Sequence, residues 1–309
     1  MSRNPWSLVW RDLKSRLVTK CGGCGSTHIR NLWRRRPRGV RMRGSWYCRA
    51  DCLERAVSEL LDIGGLGSGG MVSEGLGSAR NIVAPHRIPL GLLLLSRQQL
   101  TADQLRTALD RQRTAGHGRI GEWLQRLGFA TERQITAALA RQWSCPVLRN
   151  SSGTLGASRF MPIPVRLLES IQMIPVEFAE ASQTLLIAFS EGIDHSVLYA
   201  VEQMLGYRTE ACFVCPSVLQ KGLEALAQVR GSGDVIFDRV EDARECASII
   251  VSYAAKVAAE EIRLVKCGHH LWIRLQQPER ETVNMVMRTS TAKAFTPSSV
   301  RCRSGIAVG

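Results

Sequence analysis

The sequence predicts an α+β fold assembled from unlike parts, and three observations carry that prediction. Two close-spaced cysteine pairs lie in a basic N-terminal stretch, the segment from Leu90 to Gln142 repeats itself at an offset of 30 residues, and a helical run from Ala243 is followed by two strand-like runs up to Leu275. At 309 residues, with 45% hydrophobic and 22% charged side chains, the chain has the composition of a globular protein of about two domains. Its longest apolar run, around Leu90 to Leu95, is far shorter than the roughly 18 residues that span a bilayer. The first twenty residues lack the apolar core of a signal peptide. A cytoplasmic protein without a transmembrane segment is therefore expected, and its ten cysteines should be thiols or metal ligands rather than a disulfide framework.

From the N-terminus, Asn4 and Pro5 suit the cap and first position of a helix. Trp6, Trp10, Leu13 and Leu17 share one face of it at helical spacing, to dock on its own module or on an anionic membrane. Residues 1–52 carry thirteen Lys and Arg against Asp12 and Asp51, so eleven of the fourteen net positive charges sit in this module. Cys21 and Cys24, then Cys48 and Cys52, are two short-spaced pairs separated by 23 residues, the spacing of a four-thiolate structural zinc site. Glycines turn the first pair tightly, and the helical pattern from Leu53 to Leu61 puts the second pair at a helix N-terminus, where the dipole favours thiolates. His28 is an alternative donor. A small segment with so few apolar residues is expected to fold around its metal. Between the pairs, Arg34, Arg35, Arg36, Arg38, Arg41 and Arg43 are interleaved with Trp33, Trp46 and Tyr47. That is either a solvated basic face or a nucleic-acid contact. Cys212 and Cys215, which alternate with apolar residues along a strand, read as buried thiols, and Cys267 reads as part of a turn between strands without a metal.

Composition then divides the chain into a basic zinc-binding-like module at 1–62 and a Gly/Ser-rich linker at 63–86. A main domain follows at 87–230, a small helix–hairpin piece at 235–280 and a loose tail at 281–309. The helix of the small piece runs from Ala243 to Glu261, and its hairpin joins Glu261–Val265 to His270–Leu275.

The main domain opens with the repeat. Gly91 matches Gly121, Leu94 matches Leu124, Thr101 matches Thr131, Gln104 matches Gln134, Ala108 and Leu109 match Ala138 and Leu139, and Arg111 and Gln112 match Arg141 and Gln142. Eight identities exceed the one or two that chance supplies at ordinary residue frequencies. Thr101 with Gln104, and Thr131 with Gln134, have the pattern of capping boxes, so each copy is a short helix, a turn and a capped second helix, with Gly128 as a natural helix stop.

The run from Arg119 to Gly128, followed by Ile135, Leu139 and Gln142, resembles the motif of the GspE N-terminal (MshEN) domain of type II secretion and type IV pilus assembly ATPases, in which two such motifs stand in tandem. The resemblance extends over residues 87–230, through Met161–Pro164, Ile174–Val176, Gln183–Phe189 and Leu205–Tyr207. It implies a tandem-motif plus α/β domain, a link to bacterial secretion or pilus machinery, and a cyclic di-GMP site formed by Gly91, Gln112, Arg119, Gly121, Gly128 and Gln142. The first copy departs from the motif, with Pro89 where the arginine belongs and Gln98 where the glycine belongs, and the spacer between copies is one residue longer. Incomplete binding centred on Arg119 is the expectation.

No G-x-x-x-x-G-K-[ST] phosphate loop occurs in the sequence, and no catalytic triad or carboxylate pair is identifiable. The reading is a non-catalytic regulatory or adaptor protein that carries zinc. The alternative is a nucleic-acid-binding regulator whose middle domain is an interaction platform.

Overall fold

The computed structural model describes residues 18–29, 39–63, 87–148, 162–229, 234–240, 242–277 and 282–289. The expected helix at Asn4–Leu17, the arginines from 34 to 38 and nearly all of the linker lie outside the described residues.

Strands β1 (Val18–Lys20) and β2 (Thr27–Ile29) form an antiparallel ribbon around the first cysteine pair. Strands β3 (Val40–Met42) and β4 (Ser45–Tyr47) form a hairpin whose two turn residues, Arg43 and Gly44, both have positive φ, 49° and 78°, the twist that matches a tight hairpin. Helix α1 (Ala50–Ile63) follows directly.

The module is not a domain of its own. Residue 41 of β3 pairs in parallel with Glu261, and Met42 with Ile262, of strand β9 (Glu261–Cys267). The Arg41 amide donates to the Glu260 carbonyl at 2.8 Å. One six-stranded sheet results, in the order β4-β3-β9-β10-β11-β8, with β8 at Val235–Val240, β10 at His270–Gln276 and β11 at Val283–Thr289. Helix α1 packs against α9 (Ala243–Lys256). Leu53, Val57 and Leu61 of the module share a core with Ile250, Val251, Ile273 and Met285. The expected division into a module at 1–62 and a separate piece at 235–280 is corrected accordingly. Each part alone has one apolar face and nothing to cover it, and joining them covers both.

The expected loose tail from residue 281 is corrected too, since its first part is β11, an inner strand between β10 and β8. Asn284, Val286, Met285 and Met287 are all buried, on both faces of the sheet. A strand covered on both sides lacks the alternation by which a half-exposed strand is recognised.

The middle of the chain begins with the two helical pairs, α2 (Leu90–Ser96) with α3 (Ala102–Ala115) and α4 (Ile120–Arg126) with α5 (Glu132–Gln142), closed over Leu94, Leu124, Ala108 and Ala138. It continues through α6 (Val165–Ile171), β5 (Met173–Ala179), β6 (Thr184–Phe189), α7 (His195–Leu205), β7 (Arg208–Phe213) and α8 (Pro216–Val229). Strands β5, β6 and β7 form a three-stranded sheet, β5 antiparallel and β7 parallel to β6.

The large sheet and the middle domain share an interface. Trp272 and Cys267 belong to the core of the middle domain, whereas Leu271 and Ile273, on the other face of β10, belong to the core under α1 and α9. The Trp272 indole donates to Asn284 Oδ1 at 3.3 Å, and buried Arg274 donates to the Met204 carbonyl near the end of α7 at 2.7 Å. A cation there satisfies the last carbonyls of a helix and its dipole. Burial holds the Arg274 pKa below the usual arginine range, with nearby Arg263 adding to the effect.

Candidate functional site

The four cysteines predicted as ligands come together. Their sulfurs lie within 4.8 Å of one another, the one such group of three or more potential ligands among the described residues. Cys24 Sγ is 3.6 Å from Cys48 Sγ, and Cys48 Sγ is 3.9 Å from Cys52 Sγ. A tetrahedral ion with metal–sulfur bonds of about 2.3 Å requires sulfur pairs about 3.8 Å apart, so the donor set fits zinc in type and spacing. Cys21 and Cys52 are buried and Cys24 is exposed.

The fold around the sulfurs is built for this arrangement. The amides of Gly23 and Cys48 each donate to Cys21 Sγ at 3.4 Å. Burial pushes the Cys21 thiol up, but backbone hydrogen bonds from Cys24, Cys48 and Gly23 outweigh it and bring the pKa to about 6. For Cys48, burial and the three neighbouring thiols all act upward, to about 12. Four thiolates could share this volume only with a cation to neutralise them. A Cβ at Gly23 would stand 2.8 Å from Cys52 Cβ, so the first pair closes on the second only with glycine there. His28 is not a member of the group. Its ring packs edge-on against Trp46 at 5.1 Å between centroids.

The residues that the family resemblance marks for cyclic di-GMP are spread over the repeat, and most have a part in its packing. Gln112 Nε2 donates to the Gly118 carbonyl at 2.8 Å, and Gln142 Nε2 to the Ile88 carbonyl at 2.7 Å. Ile88 and Gly118 are themselves 30 residues apart, so each copy's glutamine ties down the entry to the other copy. Gly91 and Gly121 are buried at helix contacts. A Cβ at 91 would meet Leu105 at 2.7 Å, and one at 121 would meet Ile135 at 3.3 Å. Gly128 ends α4 with φ of 70°, and Gln98 ends α2 in the same left-handed conformation at φ 57°.

Arg119 stands at the N-cap of α4 and is exposed. Its Nη1 pairs with Glu191 Oε2 at 3.0 Å. Sequence reasoning missed Glu191, which lies beyond β6 with no local pattern to connect it to residue 119. It also missed the use of Arg87 and Trp143. The Arg87 guanidinium lies 3.1 Å from the Trp143 ring centroid, a cation–π stack. The same ring lies 6.0 Å from His195, and a Cβ at Gly192 would meet its Cζ2 at 3.4 Å. The loop from Glu191 to His195 thus carries both guanidinium groups, Arg119 through its carboxylate and Arg87 through Trp143. Pro89, where the first copy lacks its arginine, is the N-cap of α2 and has no side-chain donor.

Two comparisons find nothing: no protein-family model and no curated protein matches the chain. Among solved structures, the chain is similar to MshE with c-di-GMP, at 28% identity over 45% of this chain and 99% of that one, with a TM-score of 0.39. It is also similar to the N-terminal domain of XpsE in two crystal forms. These are 20% identical over 44% of this chain and 91% of that one, TM-score 0.32, and 21% identical over 44% and 92%, TM-score 0.27.

Proposed function

We propose that this chain acts by binding rather than catalysis. It would be a regulatory or adaptor protein in which a zinc-held sheet carries a tandem-repeat domain that binds a cyclic dinucleotide of the cyclic di-GMP type and docks on a secretion or pilus assembly. The observation that supports the reading best is the run Arg119–Glu191, His195–Trp143 and Trp143–Arg87. It places two guanidinium groups, one of them stacked on an indole, beside one loop, and guanine and phosphate are bound by such forks and stacks. Glu191 holds Arg119 in place and would be displaced by a ligand phosphate.

Calorimetry of cyclic di-GMP with the full zinc-loaded chain tests this. Weak binding is expected, and Arg119→Ala should reduce it by a further ten- to hundredfold, the equivalent of about 1.5–3 kcal/mol for a charge-assisted hydrogen bond. Binding unchanged in Arg119→Ala would remove the site from this motif. No ATP hydrolysis should accompany the purified chain, because phosphoryl transfer needs a phosphate cradle, a lysine and a magnesium site, and the sequence contains no phosphate loop.

The metal part has its own test. One zinc per full chain is expected, and Cys48→Ser should lose it together with order in β3, β4 and α1 by hydrogen exchange. Metal-free protein with the same exchange pattern would refute the structural role. The segment 1–62 by itself is the wrong sample, since β3 needs β9 and α1 needs α9.

A further inference from the structure

A concave groove lies beside the cysteine cluster and takes no part in the dinucleotide reading. Its cavity is about 860 Å³, and its lining includes Lys20, Gly22, Arg41, Ser45, Trp46 and Glu261. Lys20 and Arg41 are exposed and Trp46 is half-buried. The one carboxylate in the lining, Glu261, accepts from Arg263 Nε at 2.9 Å, so its charge is already engaged and the groove is left basic. Its two hairpins are tied to each other. The Gly22 amide donates to the Trp46 carbonyl at 2.8 Å, Cys21 bridges to Trp46, and Cys21 of the cysteine cluster belongs to the lining.

We infer that this groove is a binding site for single-stranded nucleic acid. A basic channel with an aromatic ring tracks a phosphate backbone and stacks its bases without needing a sequence. Reading a duplex needs an element that enters the major groove, whereas this face is a hollow between two short hairpins. An anionic membrane is the poorer fit, since an interfacial site needs an apolar face to insert. Val18 is the one large apolar residue strongly exposed among the described residues of this module.

Fluorescence anisotropy of the full zinc-loaded chain tests the inference, with a labelled oligouridylate of about 20 nucleotides as probe. A duplex of equal length and phosphatidylglycerol-containing vesicles serve as the other arms. Binding of the single strand is expected, weakening linearly on a log–log salt plot. The double variant Lys20→Gln with Arg41→Gln changes only exposed side chains, and its zinc content verifies the fold. It should bind at least tenfold more weakly, with a salt slope lower by about 1.4, the release expected for two lost phosphate contacts on a single strand. Unchanged affinity in that variant would overturn the inference. Preference for the duplex, binding to vesicles without binding to the oligonucleotide, or no binding to any probe would each overturn it as well.

Discussion

The two copies of the repeat answer the same folding problem with partly different residues. Both have the capping box. The Gln104 side chain accepts from the Thr101 amide at 2.9 Å and that of Gln134 from the Thr131 amide at 2.7 Å. Both first helices also close in the same way. Gln99 and Phe129 donate to Leu94 and Leu124, and Gln98 and Gly128 donate to Leu95 and Gln125, the paired bonds of a Schellman ending. The copies diverge where the second one meets the rest of the protein. Glu132 accepts from the amide and hydroxyl of Ser217 at 2.6 and 2.8 Å, and Arg119 reaches Glu191. The corresponding positions in the first copy, Ala102 and Pro89, can make neither contact. What the copies share is therefore the set of groups that closes the helical pairs, and what distinguishes them is the surface that the second copy turns to its neighbours.

Four measurements would break or sharpen that comparison, each read as a change in stability by denaturant titration with hydrogen exchange in α2 to α5. Leu94 and Leu124 are both fully buried, so Leu94→Ala and Leu124→Ala should each cost about 2–5 kcal/mol. Losses differing by more than about 2 kcal/mol would show that the copies do not share one core equally. Gly91→Ala and Gly121→Ala should part company. Alanine favours a helix over glycine by about 1 kcal/mol, which offsets the 3.3 Å contact with Ile135 at 121. The 2.7 Å approach at 91 is to a methyl end of half-buried Leu105, which must shift to admit the Cβ, so Gly91→Ala should be the less favourable of the two. Thr101→Ala and Thr131→Ala should cost about 1 kcal/mol each, and a silent variant in either copy would mean that its box is replaced by solvent. Smallest are the exchanges at the helix ends. Gln98→Gly relieves a left-handed side chain worth about 1–2 kcal/mol but adds freedom to the unfolded chain worth about 0.4–1 kcal/mol, a net gain of about 0–1.6 kcal/mol. Gly128→Gln should lose a similar amount. Equal signs would refute the equivalence of the two positions.

Local features were legible from residues alone. The capping boxes, the repeat offset, the αL position at Gly128 and the two cysteine pairs follow from spacings of a few residues, because hydrogen bonds and metal ligands at short range need specific residue types at fixed intervals. The hairpin at Cys267–His270 was equally readable, with Gly268 at φ 57°. The candidate ligand face was half legible. Arg119 stands out within its motif, while Glu191 and Trp143 join it only through packing between separate elements.

The amino-acid sequence by itself determined which short segments become helices, caps and turns, and which four thiols meet. Only the tertiary structure decided that the cysteine module and the C-terminal piece are one unit. The physical reason lies in how parallel strands pair. The match of residue 41 with Glu261 and of Met42 with Ile262 rests on backbone hydrogen bonds, which any residue but proline can complete, and so leaves no mark on side-chain identity. What selects that pairing is the burial of Leu53, Val57 and Leu61 against Ile250 and Val251, a preference for covering apolar area that is non-directional and fixes its partner only when the whole chain has folded.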